Sequence, residues 1–310
     1  MPPIGKSALD VFPLVLGGNV FGWTADEETS YDILDAFVAA GGNAIDLADS
    51  YPYWAPGCSG GEAETIVGDW MRARGNRDDI IVCTKVGRWP GNHGLTRGQI
   101  LGGIDGSLRR LQTDRVDLYY CHADDEGTPL EETLGTLGEL IADGRVRTIG
   151  ASNYTADRLA EALTVSDRLG VERFCAVQPH YSLVERMTYE GPLEELCAAE
   201  QLSCLPYWPL AAGFLTGKYI GPADSALARS DTVARFQTPH NESILDAVRG
   251  IAARQGAEPA TVALAWLLTR PTVVAPIASA SRPDQLPALL ASVSLELDPE
   301  DIALLDELSR

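Results

Sequence analysis

The feature that most constrains this chain is a repeat of chemistry rather than of sequence. Short apolar runs recur, and six of them end in a polar or reactive side chain: Asp46, Lys85, His122, Ser152, Gln178 and Tyr207. Successive members are 39, 37, 30, 26 and 29 residues apart, about one strand-plus-helix unit each. The runs at 80–85 and 116–122 are apolar on both faces, as in buried parallel strands. Segments of helical spacing lie between them, several closed by glycine, as at Gly41-Gly42, Gly75 and Gly144.

The pattern predicts strands near 14–16, 44–46, 80–85, 116–122, 148–152, 175–178, 203–207 and 272–276. Helices are expected at 29–40, 62–74, 97–111, 130–142, 156–169, 193–200, 243–255, 259–268, 283–291 and 299–308, with a Gly/Ala/Pro-rich loop over 210–241. Strands alternating with helices imply a parallel α/β sheet with right-handed crossovers. Eight units without a charged or Pro-rich linker imply one domain over 1–310. The expected fold is a (β/α)8 TIM barrel with a short N-terminal hairpin and a C-terminal helix. In such a barrel the strand C-termini form one ring, where barrel active sites lie.

Four residues on that ring make an acid–base set. Asp46 ends its strand, and Tyr51 follows five residues later in a loop rich in turn formers. A free tyrosine, with pKa about 10, is a weak acid at neutral pH. A neighbouring ammonium from Lys85 would lower that value, and Asp46 would fix the ammonium in place. Tyr51 could then protonate a carbonyl oxygen that is gaining charge, with His122 adding a second hydrogen bond. Lysine is scarce here: Lys6, Lys85 and Lys218 stand against 21 arginines. A retained lysine is therefore a candidate for work that the forked, permanently charged arginine cannot do.

Other chemistries are disfavoured. The net charge of −20 repels nucleic acid and anionic membrane, though it tolerates a small anion at a local cationic site. His93, His122, His180 and His240 lack metal-ligand spacing, so no metal is expected. The six cysteines form no CxxC pair and read mainly as small buried hydrophobes. No apolar run reaches the roughly 18 residues of a membrane span, and residues 1–10 lack a signal pattern. A cytoplasmic protein is the expectation; its oligomeric state is not encoded in these features.

The chain resembles the aldo-keto reductases. The resemblance rests on Asp46-Leu47-Ala48-Asp49-Ser50-Tyr51, Thr84-Lys85, the segment 117–122, and Gly144 to Asn153. It continues through Gln178-Pro179, the segment from Tyr207 to Tyr219, and that from Pro276 to Leu286. These segments cover nearly the whole chain in family order. The resemblance implies a nicotinamide cofactor lying extended across the barrel top, and Arg282, flanked by Ser279 and Ser281 near a helix start, leads to the expectation of NADPH rather than NADH, since a 2′-phosphate needs a local cation. Consistently, no strand–GxGxxG–helix fingerprint is present. It also implies that Ser152, Asn153 and Gln178 hold the carboxamide and that Tyr207 stacks on the ring. Pro209, Leu210, Ala211, Gly213 and Lys218 would run along the pyrophosphate, with Ser279, Ser281, Arg282 and Gln285 at the adenosine end.

Three positions depart from the family pattern. Trp208 stands where serine is common, Ser281 where a basic residue is usual, and Ala288-Leu289 where Glu and Asn are frequent. Trp23, Trp54, Trp89 and Trp208 fall in loops after strands and are the expected substrate-binding residues. An aromatic pocket suits a small-molecule aldehyde, ketone or sugar. A long C-terminal substrate loop, found in some branches, is expected to be absent. Two alternatives stay open: a cofactor-binding regulatory subunit on the same fold, as in potassium-channel β-subunits, and an aldolase forming a Schiff base on Lys85.

Overall fold

The computed structural model describes residues 1–219 and 230–310, so part of the expected loop at 210–241 lies outside the described residues. The strands, in chain order, are β1 (Val15–Gly17), β2 (Ala44–Asp46), β3 (Ile81–Val86), β4 (Arg88–Trp89), β5 (Asn92–His93), β6 (Val116–Cys121), β7 (Val146–Ser152), β8 (Ala176–Gln178), β9 (Ser203–Cys204) and β10 (Ile277–Ala278). Eight of them form one parallel sheet in the order β10-β1-β2-β3-β6-β7-β8-β9. The ends meet: Cys204 N–H donates to the Thr272 carbonyl at 2.8 Å, and Val274 N–H to the Cys204 carbonyl at 3.1 Å. An antiparallel bridge between Pro3 and Asp10 forms the N-terminal hairpin.

The helices are α1 (Glu27–Ala39), α2 (Glu62–Arg74), α3 (Arg97–Leu111), α4 (Leu130–Ala142), α5 (Ala156–Leu169), α6 (Pro192–Glu200), α7 (Ser230–Val233), α8 (Pro239–Gln255), α9 (Pro259–Leu268), α10 (Leu286–Leu290) and α11 (Pro299–Leu308). Their ends follow from local chemistry. Asp26 accepts the Thr29 N–H at 2.9 Å to start α1, Thr96 and Gln99 form a capping box on α3, and Gly75 ends α2 in the left-handed region. No described helix is long and apolar enough to cross a membrane.

Strand alternation sets what the barrel presents at its top. Ala44, Ile81, Cys83, Leu118, Tyr120 and Ala176 belong to the inner apolar cluster. Ile45, Val82, Val86, Tyr119 and Cys121 belong to the outer one, packed with the helices. Continuing the inner parity by two residues gives Asp46 after Ala44, Lys85 after Cys83, His122 after Tyr120 and Gln178 after Ala176. The polar set is thus the uppermost layer of the barrel's own interior. Gly150 is required lower down, because a Cβ there would lie 2.4 Å from the Tyr120 ring.

Two elements differ from the sequence expectation. The last barrel strand was expected at 272–276, yet β10 pairs with β1 through Ile277 and Ala278. Of the earlier apolar residues, Val274 N–H donates to Cys204 of β9 and Val273 N–H turns back to the Arg270 carbonyl, while Pro276, which has no N–H, offers only its carbonyl, accepting from Val15 N–H at 3.0 Å. The hairpin β4–β5, with Pro90-Gly91 at its turn, was not anticipated.

Candidate active site

Lys85 is fully buried in β3, and its ammonium has three partners. Nζ donates to Asp46 Oδ2 at 2.6 Å, to the Leu47 carbonyl at 2.7 Å and to the Tyr51 hydroxyl at 3.2 Å. Asp46 is fixed on its other side, where Gln178 Nε2 donates to Oδ1 at 2.9 Å. A buried ion pair is sustained only when such bonds satisfy both groups. Tyr51 is positioned by its backbone, whose carbonyl accepts the Gly61 N–H at 3.0 Å at the start of α2. The His122 ring meets the Tyr51 ring edge-on at 5.8 Å.

The electrostatics correct one expectation. Burial pushes the Tyr51 phenol above its ordinary value, although the Lys85 charge pulls the other way. The expected net lowering by Lys85 does not occur, because the barrel wall desolvates the tyrosinate more strongly than one ammonium compensates. Tyr51 therefore stays protonated at neutral pH and is a donor. Burial also opposes the Lys85 charge, but Asp46 and Tyr51 outweigh it, and its pKa is raised. An amine that forms a Schiff base needs the opposite shift. Burial, with Lys85 and Arg88 nearby, holds His122 well below the usual histidine range, so its imidazole is neutral.

Around this group two cavities adjoin. A cup of about 870 Å³ is lined by Tyr51, His122, Ser152, Asn153, Gln178 and Tyr207, with Trp23, Tyr53, Trp54, Trp208, Arg88 and His93 among its walls. A cleft of about 1070 Å³ runs from Tyr51 and Tyr207 past Pro209, Leu210, Gly213 and Lys218 to Ser279, Ser281, Arg282 and Gln285. Tyr51, Tyr207, Trp208, Ala212 and Asn19 line both.

Most of the sequence-derived residues thus come together. Tyr207 donates its hydroxyl to Asn153 Oδ1 at 2.9 Å, and Asn153 Nδ2 donates to the His122 carbonyl at 2.8 Å and to Ser152 Oγ at 3.0 Å. His180 lies 5.4 Å behind the Tyr207 ring, within 16° of parallel. Ser279 Oγ donates to Asn19 Oδ1 at 2.6 Å, and Ser281 Oγ lies 2.7 Å from Thr24 Oγ1. Gln285 accepts the Ser281 N–H at 2.8 Å. Arg282 is exposed at the cleft edge and pairs with Asp284 at 3.0 Å. Trp23 and Trp54 pack edge-on at 6.0 Å.

Two expected residues lie elsewhere. Ala211 is fully buried and lines neither cavity; its neighbour Ala212 lines both. Trp89 also lines neither. It donates Nε1 to the Ser59 carbonyl at 2.9 Å and lies over Arg110. The hairpin explains this: Arg88 is opposite His93 and Trp89 opposite Asn92, so alternation sends the first pair to the cup and Trp89 to the other face. Asn19, Arg88 and Tyr53 are wall residues that the sequence reading missed. For Arg88 the available signal was its place three residues after Lys85. Among the described residues, no group of three His, Cys, Asp or Glu side chains could hold a metal ion.

A sequence profile described as the Aldo/keto reductase family matches residues 13–310. The protein tas of Escherichia coli (strain K12) is 34% identical, over 97% of this chain and 94% of that protein. The probable voltage-gated potassium channel subunit beta of Oryza sativa subsp. japonica is 34% identical, over 91% of this chain and 88% of its own length. The L-glyceraldehyde 3-phosphate reductase of Escherichia coli (strain K12) is 31% identical, over 98% of this chain and 90% of that protein.

Proposed function

The chain belongs to the aldo/keto reductase family, and from that premise we propose that it reduces the carbonyl group of a small molecule to an alcohol, using NADPH, with Tyr51 as general acid. The observation that carries this reading is the Tyr51 hydroxyl, 3.2 Å from buried Lys85 and lining both the aromatic cup and the long cleft. A positioned acid must be within reach of the proton acceptor, and the cup brings a carbonyl oxygen to that phenol.

The cleft suits an extended dinucleotide in its volume and donor set. Ser152, Asn153 and Gln178 would hold the carboxamide, and Tyr207 would stack on the ring. Pro209, Leu210, Gly213 and Lys218 would follow the pyrophosphate, and Ser279, Ser281, Arg282 and Gln285 the adenosine end. When bound, the reduced nicotinamide supplies the hydride.

This chain's own residues manage the proton. Burial keeps Tyr51 protonated until the substrate oxygen gains charge. Tyr51 Oη then gives up its proton, and the Lys85 ammonium stabilises the tyrosinate left behind. Asp46 keeps Lys85 charged and aimed at Tyr51, while Gln178 and the Leu47 carbonyl prevent the pair from rotating away. Neutral His122 donates a second hydrogen bond to the same oxygen. Trp23, Trp54 and Trp208 exclude water and grip the apolar part of the substrate.

Oxidation of NADPH, followed against a panel of aldehydes, ketones and sugars, tests the reading. Turnover of at least one carbonyl class is expected. No oxidation with any of them, together with no binding of NADPH, would contradict it.

A further inference from the structure

The cup carries a cation that the reduction of a simple carbonyl does not require. Arg88 lies on β4 and lines the cup with Tyr51 and His122. Among the described residues it makes no ion pair or hydrogen bond, whereas the arginines around the rest of the molecule are mostly ion-paired, as at Arg77, Arg110, Arg147, Arg158 and Arg186. Of the described arginines without an ion pair, Arg88 alone lines the cup or the cleft.

The placement is built into the fold. The antiparallel register sets Arg88 directly opposite His93, and both line the cup. The other charged group beside it, Lys85, is neutralised by Asp46 at 2.6 Å. Of its other neighbours, Tyr51 and Tyr207 are protonated phenols and His122 is a neutral imidazole, and the anion that acts on Tyr207, Glu185, is not among the residues lining the cup. Among the described residues no Asp or Glu lines the cup; Asp46 lines the adjoining cleft. The guanidinium is close enough for its charge to act on Tyr51, His122 and Tyr207. A cation without a counter-ion among the described residues, in a protein of net charge −20, is retained against the bulk composition. Arg88 is exposed at the mouth of the cup, and its guanidinium fork matches carboxylate or phosphate geometry through two parallel charge-assisted hydrogen bonds.

We propose that the substrate is a carbonyl compound that also carries an anionic group, a carboxylate or a phosphate, and that Arg88 binds that group while the aromatic walls hold the body of the molecule. This deepens the reductase reading and rests on it. Arg88 is then the specificity-determining residue of the cup, with Tyr51 acting on one end of the substrate and Arg88 on the other.

The test uses three aldehydes that share a ring: benzaldehyde, 4-carboxybenzaldehyde and 4-formylphenyl phosphate. The readout is the ratio of kcat/KM for each anionic aldehyde to that for benzaldehyde, so that any general effect of Arg88 on Tyr51 cancels. A hydrogen-bonded charge pair at the exposed mouth of the cup predicts a ratio lower by roughly threefold to tenfold in Arg88→Gln. Arg88→Lys, which keeps the charge and loses the fork, should recover part of it. The larger loss identifies which of the two anions the site reads. An unchanged ratio in Arg88→Gln for both anions would overturn the proposal. Calorimetric titration of benzoate and phenyl phosphate into the protein saturated with NADP⁺ separates this from failure of the reductase reading. If none of the three aldehydes is turned over, weaker binding of either anion by Arg88→Gln still supports the anion site, and equal binding refutes it.

Discussion

Lys85 Nζ and Asp46 Oδ2 lie 2.6 Å apart with the lysine fully buried, which makes this pair the foundation of the site. The two residues come from neighbouring strands, and each continues its strand's inward parity. The pair is not a surface ornament that could be exchanged at small cost. Removing one partner of such a pair leaves an uncompensated buried charge and typically costs about 3–5 kcal/mol.

Lys85→Arg is therefore the sharper probe of the two obvious lysine variants. It keeps the charge and changes its shape. The planar fork cannot donate to Asp46, the Leu47 carbonyl and Tyr51 from one point. We predict that turnover falls by at least roughly 10²-fold, within the range a positioned acid contributes. Lys85→Met should be at least as damaging, in both turnover and thermal stability. Near-normal steady-state turnover in Lys85→Arg would mean that charge alone suffices.

Much of this was legible in the sequence, for physical reasons that can be named. The apolar runs that end in Asp46, Lys85, His122 and Gln178 are buried strands, and burial leaves its signature in composition. The rim of reactive side chains follows from the barrel rule. Three things were not legible. The position of β10 depends on which neighbour each backbone group finds, which an apolar run around Val273 does not encode. The inward turn of Arg88 and outward turn of Trp89 depend on a hairpin of two-residue strands, too short for periodicity to register. The raised pKa of Tyr51 depends on how deeply the folded wall desolvates it, whereas the sequence displayed only the neighbouring lysine.

Asp49 offers a test of stability against pH. Both of its carboxylate oxygens are buried without a hydrogen-bond partner, and burial, with Glu64 nearby, pushes its pKa from 3.8 up to about 8. In the unfolded chain the group ionises near 3.8, so between there and about 8 the folded protein holds a proton that the unfolded chain has lost. The stabilising contribution is complete below the lower value, declines as pH rises and is gone above the upper one. Asp49→Asn should remove this component. The fall in Tm between about pH 5 and about pH 9 should be smaller in the variant by at least a few degrees, at roughly 2–4 °C per kcal/mol. The same slope in both proteins would place the ionisation elsewhere.

The adenosine end makes a prediction about cofactor choice. Arg282 bonds to Asp284, and both side chains are about two-thirds exposed, at 65% and 68%. An exposed pair of this kind contributes about 0.2–1 kcal/mol, so a 2′-phosphate can displace Asp284 from the guanidinium. Arg282→Ala should lower affinity for NADPH by up to roughly a hundredfold while leaving NADH almost unchanged. Asp284→Asn should do the reverse, tightening NADPH binding by up to about fivefold. Fluorescence titration of both cofactors checks each change. An unaltered NADPH/NADH ratio in Arg282→Ala would assign the phosphate to another residue.

The most direct measurement separates the chemical step from binding in Tyr51→Phe. The variant removes one oxygen and leaves the ring that packs against Trp54 and His122. Single-turnover oxidation of bound NADPH by an accepted aldehyde should slow by roughly 10²–10⁴-fold. The Kd for NADPH, titrated on the same preparation, should move by less than about threefold, since the resemblance to the family assigns that hydroxyl to the substrate. A single-turnover rate close to that of the unmodified protein would remove Tyr51 from the proton transfer and contradict the mechanism at its centre.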